Sequence, residues 1–392
     1  MRIVTLTERQ FNNYSKIHSK KNYKQTVEYA DTLRQYGYVK LYLGLIDEED
    51  NVIGATLILE YLIKNKYKVG YAPLGYLINY NDISLFNTFT IEVRKYLIRL
   101  NYIYLRIEPN YVWKIFNKNK STILSNTNVF QDNGYVMVND AKKRYEAILE
   151  IEDIDKTYNN ISRNLKRKIH DAKIMGVSGF KSNNIDMFYS LISKKTGYDI
   201  NYFRGLRNNF KDNFEIFFAK MDPNKYLNNV QELLNKERER NYMLQERIAN
   251  REIRNSKKLL DMKMKSDKIV NKYTNEVKNA SKLFSTIARN DIISTCAIIK
   301  MDKTIYFIEE GFNDSYRDIH SLSTLKWELI RYYYAKGYRK FNLGVIPLNE
   351  EAVGAQFSMI SFNPKIYLYP QDYDLVINKY FYGLVKKFNF IK

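Results

Sequence analysis

Between Asn224 and Glu310 the chain contains neither glycine nor proline, so a long stretch runs without a local helix breaker. In its first part Leu227, Val230, Leu234, Leu244 and Ile248 follow one alternating three–four spacing, with Glu237 and Asn241 in the slots between. After a break near Asn255–Ser256, Leu259, Val270, Tyr273, Val277, Ala280 and Phe284 continue the pattern, with Lys263 and Ser266 as polar slots. Such spacing gathers the apolar residues on one narrow helical seam. The other positions are charged, as in "NKERERNYMLQERIANREIRNSKK". A stripe this narrow cannot line a globular core, so the two helices are expected to pair with each other. The expected result is an antiparallel coiled-coil arm, residues 224–284, projecting from a globular body. The competing reading is a disordered charged linker.

The remaining sequence suffices for two ordinary domains, and 45% apolar content gives them a core. No run of about 18 apolar residues is present, so no membrane-spanning helix is expected. The start, "MRIVTLTERQFNNY", lacks the apolar segment of a secretory signal. A single cysteine, Cys296, and three scattered histidines, His18, His170 and His320, exclude a disulfide framework and argue against a metal site. These features predict a cytoplasmic protein without metal or cofactor. The formal net charge of +20 suggests a polyanionic partner or an anionic membrane surface. Part of it has a blander origin, because a chain so rich in Lys, Asn, Ile and Tyr runs basic on composition alone. Between Lys225 and Lys282 there are 15 Lys/Arg against 8 Asp/Glu, so the excess is shared by arm and body.

Residues 1–145 read as an α/β domain. A helix is expected over Gln25–Tyr36, then a strand hairpin, "YVKLYLGLID" and "VIGATLILEYLI", turning at "DEEDN". "KVGYAPLGYLI", a helix from Asp82 to Leu100 and the strand "IYLRIEP" follow, and a long loop is expected through "NKNKSTILSNTN". Residues 146–372 read as a second domain. The strand "RYEAILEI" leads to a helix capped by Ser162, with Leu165, Ile169 and Ala172 facing inward. The helix "NIDMFYSLISKKTG" and the strand "NFEIFFAKMD" precede the arm. After it come a strand pair, "ISTCAIIKMDKTIYFIEEGF", a helix and the strand "KFNLGVIP". Both halves thus repeat helix, strand hairpin, helix, strand, which points to a duplicated acyltransferase-like unit with the arm inserted in the second copy.

In their order along the chain these segments resemble the Fem family, the bacterial aminoacyltransferases that build peptide branches on peptidoglycan precursors. "YAPLGYLIN" is similar to the family's Tyr-x-Pro-Arg-Gly-Pro loop, and "LRIEP" to its Arg-x-Asp-Pro. "NISRNLKRKIHDAKIMGV" is similar to its basic helix before a Gly-Val strand, and "FNLGVIP" and "YLYPQDYDLVINKYFY" to its final strands. The resemblance implies two tandem GNAT-like domains, with the tail from about 373 to 392 returning to the first. It implies transfer of an amino acid from aminoacyl-tRNA to an amine of a lipid-linked or nucleotide-linked muropeptide, forming the interpeptide bridge. Peripheral contact with the inner membrane surface fits that acceptor; self-association or pairing with a relative of the same family stays open. The sequence departs from the pattern in three places, at four residues. Leu74 stands for the loop arginine and Tyr76 for its last proline, Glu108 for the motif's aspartate, and Ser358 near the family's late phosphate-binding lysine. The last change leaves room for another acceptor, such as a different surface-polysaccharide precursor.

Aminolysis of an activated ester needs orientation above all, and a base to take the amine's proton. Glu108, at a strand end beside Pro109, is the candidate catalytic carboxylate, against a solvated turn carboxylate. The acceptor's pyrophosphate calls for cations, and Lys40, Arg106 and Arg204, with Tyr71 lining the cleft, are the candidate substrate-binding residues. For Arg106 a structural ion pair competes. Arg163, Lys166, Arg167, Lys168 and Lys173 form a basic helix face suited to tRNA phosphates, against an ordinary solvated face. The arm tip near Asn255 is a second candidate tRNA contact. Two other readings remain: a CoA-dependent N-acyltransferase, disfavoured because the chain has no Gly-x-Gly for a pyrophosphate loop, and a non-enzymatic basic coiled-coil adaptor for nucleic acid.

Overall fold

A computed structural model describes residues 1–63, 66–118, 120–124, 128–138, 141–250, 256–286, 291–347 and 358–388. The first unit runs β1 (Arg2–Thr5), β2 (Val39–Ile46), β3 (Val52–Ile63), β4 (Tyr67–Gly75) and β5 (Tyr102–Pro109). A connecting stretch makes β6 (Lys114–Asn117), β7 (Lys120–Ile123), β8 (Val136–Met137) and β9 (Arg144–Glu150). The second unit runs β10 (Val177–Lys181), β11 (Phe214–Met221), β12 (Ile292–Met301), β13 (Thr304–Phe312) and β14 (Lys340–Val345), followed by β15 (Lys365–Tyr369) and β16 (Tyr373–Val376). Among the described residues these form two mixed sheets, ordered β1-β2-β3-β4-β5-β16-β8 and β10-β11-β12-β13-β14-β9-β15-β6-β7.

The two units share one topology. In the first, β1 to β4 pair antiparallel in sequence, and β5 lies parallel to β4 after the helix Ile83–Arg99. In the second, β10 to β13 pair antiparallel, and β14 lies parallel to β13 after the helix Ser321–Ala335. Each parallel pair is backed by an antiparallel neighbour, β16 beside β5 and β9 beside β14. Chain and sheet boundaries interleave: the hairpin β6–β7, where a loop is expected from the polar sequence, extends the second sheet, and β16 completes the first. The hairpin's four-residue strands are short, β7 is exposed throughout, and neither carries apolar alternation to signal it.

The units meet through the helices between their first two strands. Val27–Leu33 packs against Ile200–Phe210, and Phe11, Tyr29, Ala30, Phe188, Phe203 and Leu206 share one buried core. Gly205 permits this approach, since a Cβ there would lie 3.0 Å from the Thr32 methyl. Gln35 donates to the Asn201 carbonyl at 3.0 Å across the same contact.

Where the first unit turns from β2 to β3 through Asp47–Asn51, the second inserts two long helices, Pro223–Ala249 and Ser256–Thr286. Asp222 caps the first, accepting from the backbone N–H of Asn224 and Lys225, and Pro223 occupies its opening turn. The helices run antiparallel: Tyr226 reaches Glu276 at 2.5 Å near the root, and farther out Ser266 donates to Glu237 at 2.6 Å and Asn241 to Ser266 at 3.1 Å. The polar slots of the seam therefore satisfy one another, while Leu234, Leu244 and Leu259 are buried between them. At the root Tyr226, Val230 and Ala280 join the core beneath the helix Arg163–Ile174. Residues 251–255, with the expected tip contact at Asn255, lie outside the described residues.

A cut that spares this root is predicted to be tolerated. Replacing residues 235–268 by a short turn should leave a single cooperative melting transition. Removing 225–282 strips Tyr226 and Val230 from the core and should destabilise the body by at least about 3 kcal/mol, read by denaturant titration.

Candidate active-site cleft

Between the units lies a cleft of about 1380 Å³, lined by the Ser19–Lys24 loop, the ends of β5 and β9, the outer half of β13, and β14. Its opening follows from register. β13 and β14 pair only over Thr304–Tyr306 and Lys340–Asn342, then diverge. Gly344, with φ of +106°, turns β14 away into a conformation that side-chain-bearing residues avoid. The opposite wall is held by two buried amides. Asn22 donates to the Leu74 carbonyl at 2.9 Å, while Gln25 accepts from Leu57 N–H at 2.8 Å and donates to the Pro73 carbonyl at 2.8 Å. They fix the loop that carries Lys20, Lys21 and Lys24.

At the cleft floor, Glu108 accepts from Arg144 at 2.6 Å, Tyr71 at 2.8 Å and Lys24 at 3.2 Å. Burial opposes its charge, but Lys24, Arg144 and the Tyr71 hydroxyl outweigh that and hold its pKa down at about 2. So strongly stabilised a carboxylate is a weak proton acceptor. The expected base is instead the centre of an ion network. Arg144 also pairs with Glu146 at 2.9 Å, and its guanidinium lies 4.2 Å from the Tyr369 ring centre.

Four lysines along this cleft, Lys20, Lys168, Lys195 and Lys340, pair with no described carboxylate, and of these Lys20 and Lys340 stand close enough to repel one another. Lys20 comes from the loop and Lys340 from the start of β14. Burial lowers the Lys20 pKa, and the charge of Lys340 lowers it further. Two unneutralised cations that repel across a concave surface are a receptor for an anion. Lys168 brings the basic helix to the cleft, and Ser358 lines it with a neutral hydroxyl.

Of the residues singled out in the sequence, Glu108 lines the cleft, whereas Tyr71 is not among the lining residues and donates its hydroxyl to Glu108. Lys40 does not line the cleft; it is clamped between Glu8 at 2.5 Å and Asp31 at 2.6 Å. Arg106 makes a two-pronged pair with Asp374, at 2.8 and 3.0 Å, joining β5 to β16. Arg204 pairs with Asp186 at 2.8 Å beside a separate shallow pocket. The basic helix forms as its pattern requires, with Ser162 accepting from Leu165 N–H and with Leu165, Ile169 and Ala172 buried. Arg163, Arg167 and Lys173 are exposed, and Lys166 reaches the Asn159 carbonyl at 2.8 Å. Sequence reading missed Lys20, Lys24, Arg144 and Lys340. The dense basic run "SKKNYKQ" was the available signal for the first two. Among the described residues no His, Cys, Asp and Glu group is placed to hold a metal ion, and no helix is long and apolar enough to cross a membrane.

An α/β body of two like units around a polar, cation-lined cleft defines a class of two-lobed transferase folds. The chain belongs to the FemAB family, whose profile matches residues 6–389. It is 24% identical to the aminoacyltransferase FemB of Staphylococcus epidermidis, over 98% of this chain and 97% of that protein. To the aminoacyltransferase FemA of the same species it is 21% identical, over the full length of both. Among solved structures FemX shares the fold, with a TM-score of 0.72 at 16% identity over 98% of this chain and 100% of the other.

The Glu108 network carries a pH signature. A carboxylate held at about 2, against an ordinary value of 4.5, contributes stability that is fully present above pH 4.5 and is lost as pH falls toward 2. Glu108→Gln should cost roughly 3 kcal/mol at pH 7, with the gap to wild type closing on acidification. Urea titrations at pH 7, 4 and 3 measure it.

Proposed function

We propose that this protein transfers an amino acid from aminoacyl-tRNA to an amine of a peptidoglycan precursor, the reading that its family and its aminoacyltransferase relatives favour. The observation that carries the reading in this chain is the cleft's unneutralised cation pair, Lys20 and Lys340. A muropeptide precursor presents a pyrophosphate, and two ammonium groups with no carboxylate partner among the described residues match it without breaking an ion pair seen there. They also supply the charge that Ser358 does not. The basic helix continues from the cleft through Lys168 to Lys166, Arg167 and Arg163, a track suited to the phosphates of a tRNA acceptor end.

On this reading the two units are GNAT-like domains whose splayed parallel strands receive the substrates, and the helix pair is a coiled-coil arm. A cytoplasmic location fits this reading, with the surplus positive charge drawing the protein to the anionic inner membrane face, where a lipid-linked acceptor resides. Incubation with charged tRNAs and purified lipid-linked or nucleotide-linked precursors, read by product mass, tests the activity directly. Failure of every precursor to gain an aminoacyl residue would refute it.

Two binding measurements separate the substrates. Lys20→Gln with Lys340→Gln should weaken precursor binding by roughly 10²- to 10⁴-fold, since each of the two charge-assisted contacts is worth on the order of 1.5–3 kcal/mol. Tight binding by the double variant would place the phosphates elsewhere. Arg163→Ala, Lys166→Ala and Arg167→Ala together should weaken tRNA binding and reduce the log–log salt slope by roughly 0.7–0.9 per lost contact. An unchanged slope in a filter-binding titration would move the tRNA site off this helix.

A further inference from the structure

With Glu108 held as an anion by Lys24, Arg144 and Tyr71, the proton of the attacking amine needs another acceptor. The carboxylates lining the cleft are Glu108, Glu146, Glu309, Glu310 and Asp318. Glu146 is paired with Arg144 at 2.9 Å and accepts from Asn342 at 2.9 Å. Glu310 is paired with Lys326, a lysine whose side chain is completely buried. Asp318 is exposed and solvated. Glu309 differs from all four: it is half-buried, faces the cleft, and forms no ion pair with any described residue.

Its position follows from the strand geometry. Glu309 lies opposite Ala297 of β12, on the part of β13 that has already diverged from β14. Its side chain is among those that line the cleft along this stretch. The Glu310 backbone N–H donates to it at 3.3 Å, and the Thr196 hydroxyl bonds to it as well.

The charged and titratable groups around it come from every neighbouring element. Glu310 adjoins it in sequence, and the buried Cys296 thiol lies on β12. Lys326, on the helix Ser321–Ala335, is engaged by Glu310. Lys195 stands 3.8 Å from the centre of the Phe312 ring, and Arg317, Asp318 and His320 lie on the segment that follows β13. Burial raises the Glu309 pKa above the ordinary carboxylate value; the Thr196 bond offsets part of this and the Glu310 charge adds to it. A carboxylate shifted in that direction is a better proton acceptor at neutral pH than one held down by cations.

We propose, on the aminoacyl-transfer reading above, that Glu309 is the catalytic base of this cleft. The acceptor's amine nitrogen forms a bond to the ester carbonyl carbon while one of its protons passes to the Glu309 carboxylate. The tetrahedral intermediate then collapses, the bond from carbonyl carbon to ribose oxygen breaks, and Glu309 returns the proton to that oxygen. The products are an amide and a free ribose hydroxyl, and the carboxylate is regenerated.

The test is transfer from charged tRNA to lipid-linked precursor, in single turnover, from pH 5 to 9, by wild type, Glu309→Gln and Glu309→Asp. Wild type should lose rate as pH falls and Glu309 becomes protonated. Glu309→Gln should reduce the chemical rate by roughly 10²-fold or more, keep both substrates' binding constants within about twofold, and lose the Glu309 limb of the pH profile. Glu309→Asp should recover part of the rate and restore the limb. A purely structural role for Glu309 would change binding or melting temperature and leave the profile's shape intact. Transfer by Glu309→Gln at the wild-type rate with the wild-type profile overturns the assignment alone. A wild type that transfers to no precursor overturns the functional reading, and this assignment with it. The acid limb is measured on the wild type, so its absence counts against Glu309 even if a variant folds poorly.

Discussion

A carboxylate buried at the junction of two lobes is stable only if cations reach it from both sides, and the geometry of this molecule turns on that requirement. Glu108 ends β5 of the first sheet. Lys24 comes from the loop before the helix Val27–Leu33, and Arg144 opens β9 of the second sheet. Removing one partner of a buried pair typically costs about 3–5 kcal/mol, because the remaining charge is left desolvated. Moving one lobe against the other would part Arg144 from Glu108 and leave both charges desolvated. The network thereby fixes the separation of the lobes, and with it the width of the cleft that the diverging β13 and β14 open above it.

The shared topology of the two units shows where the second departs from the first. In the first unit, β2 and β3 are joined by a tight turn in which Asp47 accepts from the backbone of Glu49 and Asn51. The matching connection in the second unit carries the helix pair. A hairpin end is solvent-facing and contributes little to either core, so a large insertion there disturbs the sheet little, provided its own root is packed. Tyr226, Val230 and Ala280 provide that packing. The parallel pairs have diverged differently. β4 and β5 stay in register to Gly75 and Pro109 through a bulge, whereas β13 and β14 separate after Tyr306 and Asn342.

What could be read from the sequence were the features set by neighbours along the chain. The apolar seam of the two long helices, its polar slots Glu237, Asn241 and Ser266, and the Ser162 cap all depend on helical spacing, which the sequence displays directly. Charged site residues depend on partners far away in sequence. Lys40 and Arg204 look like free cations until the fold brings Glu8, Asp31 and Asp186 beside them. Glu108 looks like a candidate base until Arg144 and Lys24 arrive. Lys20 and Lys340, separated by most of the chain, become a pair only through the apposition of the lobes. For ionisable groups, then, residue type at a motif position predicts location better than it predicts protonation or availability.

That distinction bears on the neutral residue at Ser358. Phosphate recognition depends on where uncompensated positive charge stands when the ligand arrives, and a lysine already engaged by two carboxylates contributes little of it. By that measure Lys40 is nearly neutralised, whereas Lys20 and Lys340 have no carboxylate partner among the described residues, and the Lys340 charge that helps to lower the Lys20 pKa exerts a repulsion that an anion would relieve. An anion bound between them gains attraction and cancels repulsion together, so the pair recognises phosphate more strongly than either lysine alone. A neutral residue at Ser358 is therefore compatible with phosphate binding in the same cleft, with the charge supplied from the opposite lobe and from the first residue of β14.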